Sequence, residues 1–426
     1  MTATEAAVTA AWRAESARLI ATLVRVTGDV ALAEDLAQDA LVAALEQWPR
    51  DGIPASPGAW LTTTARRRAI DTFRHNEVVR RHANTLAERP DPPEEDDMAT
   101  QVDHVEDDVL RLIFLCCHPS LTPDSRAALT LRLVAGLSTA EIARAFMVTE
   151  ATMGQRLTRA KRTLTHERAE FEMPDLAARV DRLDDVLSVI YLIFNEGHTA
   201  TTGSEWFRTD LCHEAVRLAR MVAAMLPGEA DAHALQALVE LHAARLPART
   251  DADGVPVLLA DQDRTRWDQL LTRRGLAALE RAEELARSGN PVGSYFLQAS
   301  IAAVHMRART AEETDWTRIA RLYDVLAATA PGPVVEVNRA VAHGRARGPE
   351  AGLEILAALP QGALVDHPMR SAVAGDLLMR AGRADEAAAA FDRAAALTRN
   401  EAERTVLARR AEQARSRPKP SPQEEP

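Results

Sequence analysis

Residues 121–164 read LTPDSRAALTLRLVAGLSTAEIARAFMVTEATMGQRLTRAKRTL, and the helix signals in this stretch decide the fold. Thr122-Pro123 is typical of an N-cap followed by proline at the first helical position, and the helix that starts there is expected to end at Gly136. Residues 138–141 (STAE) form a capping box that predicts a short second helix, and Thr149 can cap a third. A short helix, a tight turn and another helix give the outline of a helix-turn-helix.

The last of these helices has two faces with different chemistry. One is an apolar stripe at i, i+4, i+7 and i+11, suited to packing, formed by Met153, Leu157, Ala160 and Leu164. The other is polar and can pair with base edges in a major groove, or with phosphates. The base-reading candidates are Thr152, Gln155, Arg156 and Arg159, and the phosphate candidates are Lys161 and Arg162. The alternative is a solvated face of an ordinary helix hairpin.

Length and composition describe a globular chain built of helices. The 426 residues are about three times a typical domain, so several cored units are expected. Hydrophobic residues make up 46% and charged residues 27%, which excludes global disorder. Aromatic residues are only 4%, and runs of valine, isoleucine and threonine are scarce, which disfavours a large sheet. We therefore predict an all-α protein.

The sequence also favours a cytoplasmic location. No apolar run approaches the roughly 20 residues that span a bilayer, and residues 1–12 lack the pattern of a signal peptide. The three cysteines, Cys116, Cys117 and Cys212, cannot make a disulfide framework, as expected for a reducing compartment.

The net charge of −11 hides three local blocks of opposite sign. Residues 60–82 carry six arginines against two acids, and residues 126–168 carry eight basic residues against three acids. Between them, residues 88–108 hold ten acids, one arginine and three prolines. This pattern predicts two basic helical modules joined by an acidic linker.

The first module contains a helix with an acidic face. Its leucines at near-helical spacing predict a packing stripe that ends at Trp48, and acids or amides occupy the remaining surface. The stripe is Leu32, Leu36, Leu41, Leu45 and Trp48, and the polar surface is Glu34, Asp35, Gln38, Asp39 and Glu46. Such a face suits docking on a basic protein partner, with a solvated surface as the alternative.

A loop is predicted over residues 49–59. Within it, Ser56-Pro57 provides the N-cap and the first position of the next helix. Aromatic residues alternate there with arginines. This pattern suits binding of a single nucleic-acid strand, whose unpaired bases stack on the aromatic rings while the guanidinium groups follow its phosphate backbone. The residues concerned are Trp60, Arg66, Arg67, Arg68, Phe73 and Arg74. For Phe73 we favour core packing.

Beyond Glu170 the basic character fades and an amphipathic helical pattern continues, with breaks that read as hairpin turns. Residues 340–356 and 376–391 repeat an order of small residues, glycine and Glu-Ala at an interval of 36 residues. This interval is near the tetratricopeptide period, so we predict a helical-repeat end, with a non-repetitive helical bundle as the alternative.

Taken together, these motifs resemble the extracytoplasmic-function (ECF) sigma factors of bacterial RNA polymerase. The resemblance rests on AEDLAQD at 33–39, PGAWL at 57–61, RRAID at 67–71, LRL at 131–133, GLS at 136–138, EIA at 141–143, and RL and RAK at 156–161. YLIFNEG at 191–197 and DQDR with WD at 261–268 are similar to the subgroup with a long helical C-terminal extension in place of a separate anti-sigma partner.

The resemblance implies a division of labour among the candidate residues. The face of Asp35, Gln38 and Asp39 would dock on the clamp helices of core RNA polymerase. The −10 promoter element would be bound by Trp60, Arg66, Arg67 and Arg74, and the −35 element by Thr152, Gln155, Arg156, Arg159, Lys161 and Arg162. Regulation would involve Tyr191, Phe194, Asn195, Glu196 and Gly197. Three occupants of the C-terminal repeats stay open: a protein partner, a peptide partner, or the sigma domains alone.

The expected domains are a region 2 module (1–88), an acidic flexible linker (89–108), a region 4 helix-turn-helix module (109–170), a tetratricopeptide-like regulatory extension (171–414) and a disordered tail (415–426). Two positions depart from the family pattern. Met147 stands at the turn where glycine is frequent, so positive φ is not freely available. His198 follows residues 195–197 (NEG), where the subgroup usually has tyrosine.

No motif supports catalysis, a cofactor or a metal, so we expect none of them. Cys116-Cys117-His118 lacks the usual spacing of zinc ligands, and Asp251, Asp253, Asp261 and Asp263 lack the glycine and glutamate positions of an EF-hand. Two other classes of function stay open: a helix-turn-helix transcriptional regulator with a helical-repeat sensor domain, and an enzyme using residues 195–198 or the Asp261 and Asp263 pair.

Overall fold

The computed structural model describes residues 3–83, 105–146, 148–167, 169–173, 176–198, 209–251, 257–360, 362–398 and 400–416. These residues are mainly helical and contain no extended β-strand, which confirms the all-α prediction. Among them, no helix combines the length and hydropathy needed to cross a membrane. Residues 89–104 of the predicted linker, Met147, and residues 417–426 of the predicted tail lie outside the described ranges.

The chain divides into two compact units, Met1–Leu192 and Ile193–Pro426, and the division falls inside one helix, α8. The helices of the first unit are α1 (Ala3–Thr27), α2 (Val30–Asp51), α3 (Pro57–Ala83), α4 (Val105–Cys116), α5 (Pro123–Leu133), α6 (Thr139–Ala145) and α7 (Glu150–His166), and α8 is Leu176–His198. Below, α1–α3 are the N-terminal module and α4–α7 the helix-turn-helix module.

Helix α1 supplies the centre of the first unit. Leu19, Ile20, Ala21 and Leu23 are almost completely buried, and α1 packs against α2, α3, α4 and α5. One helix therefore contributes apolar surface to both modules. The apolar contact between the two modules is made through α1.

Two boundaries around the predicted loop and linker differ from the sequence prediction. The loop after α2 is shorter than expected, since Pro49 lies in the last turn of α2 and Gly52, with φ of 87°, ends it. Helix α4 begins at Val105, inside the expected linker. The reason is tertiary: Asp108 is 1% exposed and pairs with Arg25 of α1 at 3.0 Å.

The second unit is a succession of helices, each packed on a neighbour in sequence. They are α9 (Thr209–Met225), α10 (Ala230–Ala243), α11 (Gln269–Arg287), α12 (Ser294–Arg307), α13 (Trp316–Thr329), α14 (Pro333–Ala346), α15 (Pro349–Ala357), α16 (Pro368–Arg380), α17 (Ala384–Leu397) and α18 (Glu401–Arg415). Short 3-10 helices at Leu246–Ala248, Leu259–Asp261 and Arg264–Arg266 connect α10 to α11. The proline and glycine breaks expected from the sequence fall between these helices.

The last helices of the second unit support the repeat prediction. The pair α16 and α17 starts 35 residues after the pair α14 and α15, helix for helix. Glycines allow the helices to approach closely. A Cβ at Gly352 would lie 2.5 Å from the carbonyl oxygen of Ala340, and one at Gly375 would lie 2.6 Å from the ring of Phe391.

Gly375→Ala tests this packing. Because the Phe391 ring is completely buried and cannot move aside without displacing its neighbours, we expect the free energy of unfolding to fall by about 1–3 kcal/mol. Gly154→Ala on α7 is the control, since its Cβ would meet open space and alanine should stabilise that helix by up to about 1 kcal/mol. Urea denaturation followed by circular dichroism measures both. Equal stability of the two variants would contradict the packing argument.

Candidate nucleic-acid and partner interfaces

The helix-turn-helix forms with the caps expected from its sequence. The Thr122 hydroxyl accepts a hydrogen bond from the Ser125 amide at 3.3 Å, and Ser138 and Glu141 complete a capping box. Thr149 accepts from the Thr152 amide at 3.1 Å. The difference is at the end of α5, which stops at Leu133, three residues before Gly136. Gly136 still reverses the chain, with φ of 71°.

Helix α7 presents the two faces that its sequence predicts. The stripe of Met153, Leu157, Ala160 and Leu164 is buried. Four polar candidates are exposed: Thr152, Gln155, Arg159 and Arg162. Arg156 is half-buried, forms an ion pair with Asp124 at 3.2 Å, and its guanidinium carbon lies 5.9 Å from the centre of the Phe146 ring. The exposed side chains leave a polar surface that a nucleic acid can approach.

Lys161, the sixth candidate on α7, is engaged inside the protein. Its Nζ lies 2.9 Å from Oε2 of Glu34, a residue of α2 in the N-terminal module. Arg132 of α5 donates from Nε to the other oxygen of the same carboxylate at 2.6 Å. Glu34 is 6% exposed. One buried carboxylate therefore joins the N-terminal module to the helix-turn-helix module, and we call this the Glu34 contact.

Glu34 was expected on the polar surface of α2, and that expectation is wrong. The buried side of α2 runs through Val30, Ala33, Ala37 and Ala40, and Glu34 lies among them, whereas Leu45 of the predicted stripe is 44% exposed. The buried side of α2 is made mostly of alanines and also includes Leu36 and Trp48 of the predicted stripe. The spacing in the sequence already indicated this burial, since Glu34 is at i+4 from Val30 and at i−3 from Ala37 and so lies on the same face of the helix as both.

The charges around Glu34 determine its protonation. Burial alone would raise its pKa, but the charges of Arg132 and Lys161 and the hydrogen bonds from them outweigh burial, and the pKa is lowered. A lowered pKa in the folded state means that the ionised carboxylate stabilises the fold at neutral pH. This contribution is lost as the pH falls through the lowered value.

Two further contacts connect the same modules. The indole Nε1 of Trp12 donates to the carbonyl oxygen of Gly136 at 3.0 Å, in a buried position. A Cβ at Gly136 would lie 2.6 Å from Oγ of Ser16, so α1 passes close to this turn. The turn before the capping box is thus held by α1, and the Glu34 contact is part of a larger interface.

The acidic face of α2 is open. Asp35 and Asp39 are exposed and Gln38 is half-buried. Asp39 lies 3.4 Å from Arg68 of α3. The Asp39 side chain is exposed and that of Arg68 is partly exposed, so the pair contributes little stability. The face is therefore available to a partner.

The arginine-rich start of α3 is available as well. Arg67 and Arg74 are exposed, while Arg66 is half-buried with its pKa lowered by burial and by Arg25. Trp60 is half-buried and meets Trp48 edge to face, with ring centres 5.6 Å apart. The side chain of Phe73 lies outside the described residues. These side chains follow an exposed loop, residues 52–56, of which Pro54 alone is half-buried.

The extension begins on α8, whose first half is fixed to the helix-turn-helix module. Asp185 forms an ion pair with Arg126 of α5 at 2.5 Å, and Arg182 donates to the carbonyl oxygen of Phe114 at 2.6 Å. Arg182 also lies over the Phe114 ring, 5.5 Å from its centre. This anchor was not foreseen from the sequence, because it joins residues 59 and 68 positions apart.

The end of α8 carries the predicted regulatory residues. Phe194 and Gly197 are buried, whereas Tyr191, Asn195 and Glu196 are half-buried. Phe194 stacks on His198, with ring centres 5.2 Å apart, so His198 is part of an aromatic contact.

The three cysteines are free and buried. Cys116 and Cys117 are buried, and burial raises the pKa of both thiols, to about 12 for Cys117. Among the described residues, no group of three or more His, Cys, Asp or Glu is placed to hold a metal ion.

Comparison with protein families assigns the two modules. The model of sigma-70 region 2 matches residues 12–78, and that of sigma-70 region 4 matches residues 111–164. Residues 182–283 match a family of unknown function, DUF6596.

Similar proteins fall into two groups. An uncharacterized protein of Rhizobium meliloti (strain 1021) is 42% identical over 392 residues, 90% of each chain. The ECF RNA polymerase sigma factor SigK of Mycobacterium sp. (strain KMS) is 31% identical over 149 residues, which are 33% of this chain and 72% of SigK. The probable ECF RNA polymerase sigma factor SigI of Mycobacterium tuberculosis is 30% identical over 162 residues, 38% of this chain and 55% of SigI.

Glu34→Gln tests the Glu34 contact. The amide keeps the shape of the side chain but leaves two largely buried cations without a counter-charge, so we expect the free energy of unfolding at pH 7 to fall by about 3 kcal/mol. Glu46→Gln, an exposed position of the same helix, should change it by less than about 0.5 kcal/mol. Urea denaturation followed by tryptophan fluorescence measures the difference.

The same pair of proteins gives a pH dependence. Wild type should be more stable than Glu34→Gln at neutral pH. This difference in the free energy of unfolding should shrink as the pH falls below 4.5, the ordinary pKa of Glu, and disappear as the pH passes the lowered pKa of Glu34. A stability difference that is unchanged from pH 7 to pH 3 would show that charge on Glu34 contributes nothing.

Proposed function

The chain belongs to the family of ECF RNA polymerase sigma factors, and on this basis we propose how its parts act in transcription initiation. A sigma factor binds core polymerase and promoter DNA, while the polymerase carries out phosphodiester chemistry. The assignments below are to residues. The domain divisions at 88, 170 and 414, and a linker that ends where α4 begins at Val105, are part of the proposal.

Core polymerase is bound by the acidic face of α2. Asp35 and Asp39 are exposed and Gln38 borders them, so the face can meet a basic surface without disturbing the packing of α2. The neighbouring Glu34 takes no part in this docking, since it is buried in the Glu34 contact.

Promoter DNA is bound at two places. At the −10 element, Trp60 and Arg66 lie beside the exposed Arg67 and Arg74, which suits an opened strand. At the −35 element, α7 offers Thr152, Gln155 and Arg159 to base edges and Arg162 to phosphate. Arg156 reaches DNA only by exchanging its ion pair with Asp124 for a base.

The observation that carries this proposal furthest is the position of Lys161. Lys161 cannot bind a DNA phosphate and pair with Glu34 at the same time. If its ammonium group moves to a phosphate, the buried Glu34 carboxylate loses one of its two counter-charges. We therefore assign the docked modules to the free protein. Binding to the −35 element releases Lys161 and weakens the Glu34 contact, so promoter DNA and the N-terminal module compete for the same side chain.

The extension regulates promoter binding through α8. The support for this is that α8 is fixed to α4 and α5 by Arg182 and Asp185, next to the helices that form the DNA-reading surface, and that the same helix continues to Phe194 and Gly197. A change at the end of α8 can alter how its first half sits on the module. A protein or peptide partner of the C-terminal repeats would act by this route.

In vitro transcription distinguishes a sigma factor from a helix-turn-helix regulator. Core polymerase with this protein should initiate from a cognate promoter without any other sigma factor. A regulator would need only α5–α7 and would leave the matched region 2 without a role. Initiation only in the presence of a second sigma factor would contradict the proposal.

Replacing Asp35 and Asp39 together by lysine tests the docking face. Both side chains are exposed, so the fold should persist, while the reversed charge should reduce affinity for core polymerase at least about tenfold. Gln47→Lys, at an exposed position of the same helix outside the predicted acidic surface, is the control and should bind within about twofold of wild type. Fluorescence anisotropy with labelled protein measures both. Unchanged affinity of the double variant would remove the assignment.

Asp185→Asn tests the anchor of α8. Loss of the ion pair with Arg126 should change the rate of promoter-dependent transcription at least about threefold, in either direction, while affinity for core polymerase stays the same. Glu214→Gln, which breaks the ion pair with Arg217 within α9, is the control and should leave the rate unchanged. If neither variant alters transcription, α8 does not transmit regulation.

A further inference from the structure

Three arginines and three histidines meet where α10 ends in the second unit. We call them the Arg245 cluster: His198, His242, Arg245, Arg249, Arg264 and His305. The rings of His198 and His242 have centres 5.3 Å apart, and Arg249 Nη1 donates to the carbonyl oxygen of His198 at 2.7 Å. The charge of Arg245 acts on the pKa of both His242 and His305. These residues come from four separate stretches of chain and form one site.

Two of the arginines are explained by the fold. Arg249 caps the end of α8 through the His198 carbonyl. Arg264 Nη1 donates to the carbonyl oxygens of His305 and Ala308 at 2.8 and 2.6 Å, at the end of α12, and Arg264 also reaches Thr314. Free carbonyls at a helix end attract cations, so these two side chains hold the segments together.

Arg245 has no comparable role. Its guanidinium is half-buried and makes one hydrogen bond, from Nε to Oε1 of Gln262 at 3.3 Å. Within the described part of the chain, it has no carboxylate at ion-pair distance. Burial, then the charges of Arg249 and Arg264, lower its pKa to about 9. The Arg245 guanidinium is therefore held near those of Arg249 and Arg264. Repulsion between these charges is unfavourable unless another group supplies negative charge.

The histidines around Arg245 also have unused polar atoms. Nε2 of His198, Nδ1 of His242 and Nδ1 of His305 are buried and have no hydrogen-bond partner among the residues that the structure describes. So is Nε1 of Trp267, whose ring lies 4.8 Å from the Arg264 guanidinium carbon. Burial lowers the pKa of His242 to about 3 and that of His305 to about 4, so both rings are neutral near pH 7 and each retains one N–H donor. Buried polar atoms without partners are rare in folded proteins and need an explanation.

We propose that the Arg245 cluster binds the oxyanion group of a small molecule, a carboxylate or a phosphate. A guanidinium offers paired N–H donors that match either group, and imidazole N–H groups can add further hydrogen bonds. An anion would neutralise the cation that the protein leaves uncompensated and would use the donors that now lack a partner. A metal cation does not fit, because three arginines would repel it. This inference concerns binding by the second unit and does not depend on the proposed function.

Isothermal titration calorimetry of the full-length protein tests the proposal. Sodium phosphate and sodium succinate are titrated separately at constant ionic strength, with sodium chloride as the reference, so that the two arms identify the class of oxyanion. We expect saturable binding of at least one of them, and a loss of affinity of at least about tenfold in Arg245→Met. Arg273→Met, at an exposed arginine of α11, should bind as wild type does. Absence of binding in both arms, or equal affinity of Arg245→Met and wild type, would overturn the proposal.

A second measurement separates a binding role from a structural one. In chloride alone, Arg245→Met should have a midpoint of thermal unfolding equal to or above that of wild type, because it removes an uncompensated charge and keeps the aliphatic stem. A lower midpoint would show that Arg245 supports the fold, and would count against the site. Added phosphate or succinate should then raise the midpoint of wild type but not that of Arg245→Met, and an equal rise in both would also overturn the assignment.

Discussion

The ionised carboxylate of Glu34, buried between Arg132 and Lys161, is the interaction on which the first unit depends. It is the point where the acidic helix of region 2 meets two helices of region 4. Removing a carboxylate from water is costly, and two cations with short contacts of 2.6 and 2.9 Å offset that cost only while both are in place. The arrangement is thus sensitive to loss of either partner. A nucleic acid that attracts Lys161 removes part of what keeps the modules docked.

Helix α7 combines exposed polar side chains with one side chain, Lys161, that is held inside the protein by Glu34. The acidic face of α2, which we propose binds core polymerase, and most of the polar face of α7 are exposed, so both can be approached without rearrangement. Lys161 and Arg156 are different, since each has an acidic partner within the protein. In the proposed function, promoter binding replaces these partners by phosphates or bases. Specific binding would then be coupled to separation of the modules, whereas weak contact with DNA would not.

Local signals were readable in the sequence, and tertiary contacts were not. The caps at Thr122, Ser138 and Thr149 and the stripe on α7 depend on residues three to eleven positions apart, so spacing predicts them. Glu34 meets partners 98 and 127 residues away, and its burial follows from the close approach of α1 and α2 through alanines. The Arg245 cluster draws on four stretches of chain, and no spacing rule connects them. The residues assigned to polymerase and DNA stay predictions. The structure gives only the exposure of their side chains.

The central claim is that the modules are docked in the free protein and separate on promoter binding. Its most direct test is the distance between spin labels on α2 and α7, introduced as Gln47→Cys and Thr165→Cys at exposed positions outside the proposed binding residues, since the native cysteines are buried. Double electron–electron resonance should give one short distance for the free protein and a clearly longer one in the complex with core polymerase and promoter DNA. The same short distance in both states would contradict the account.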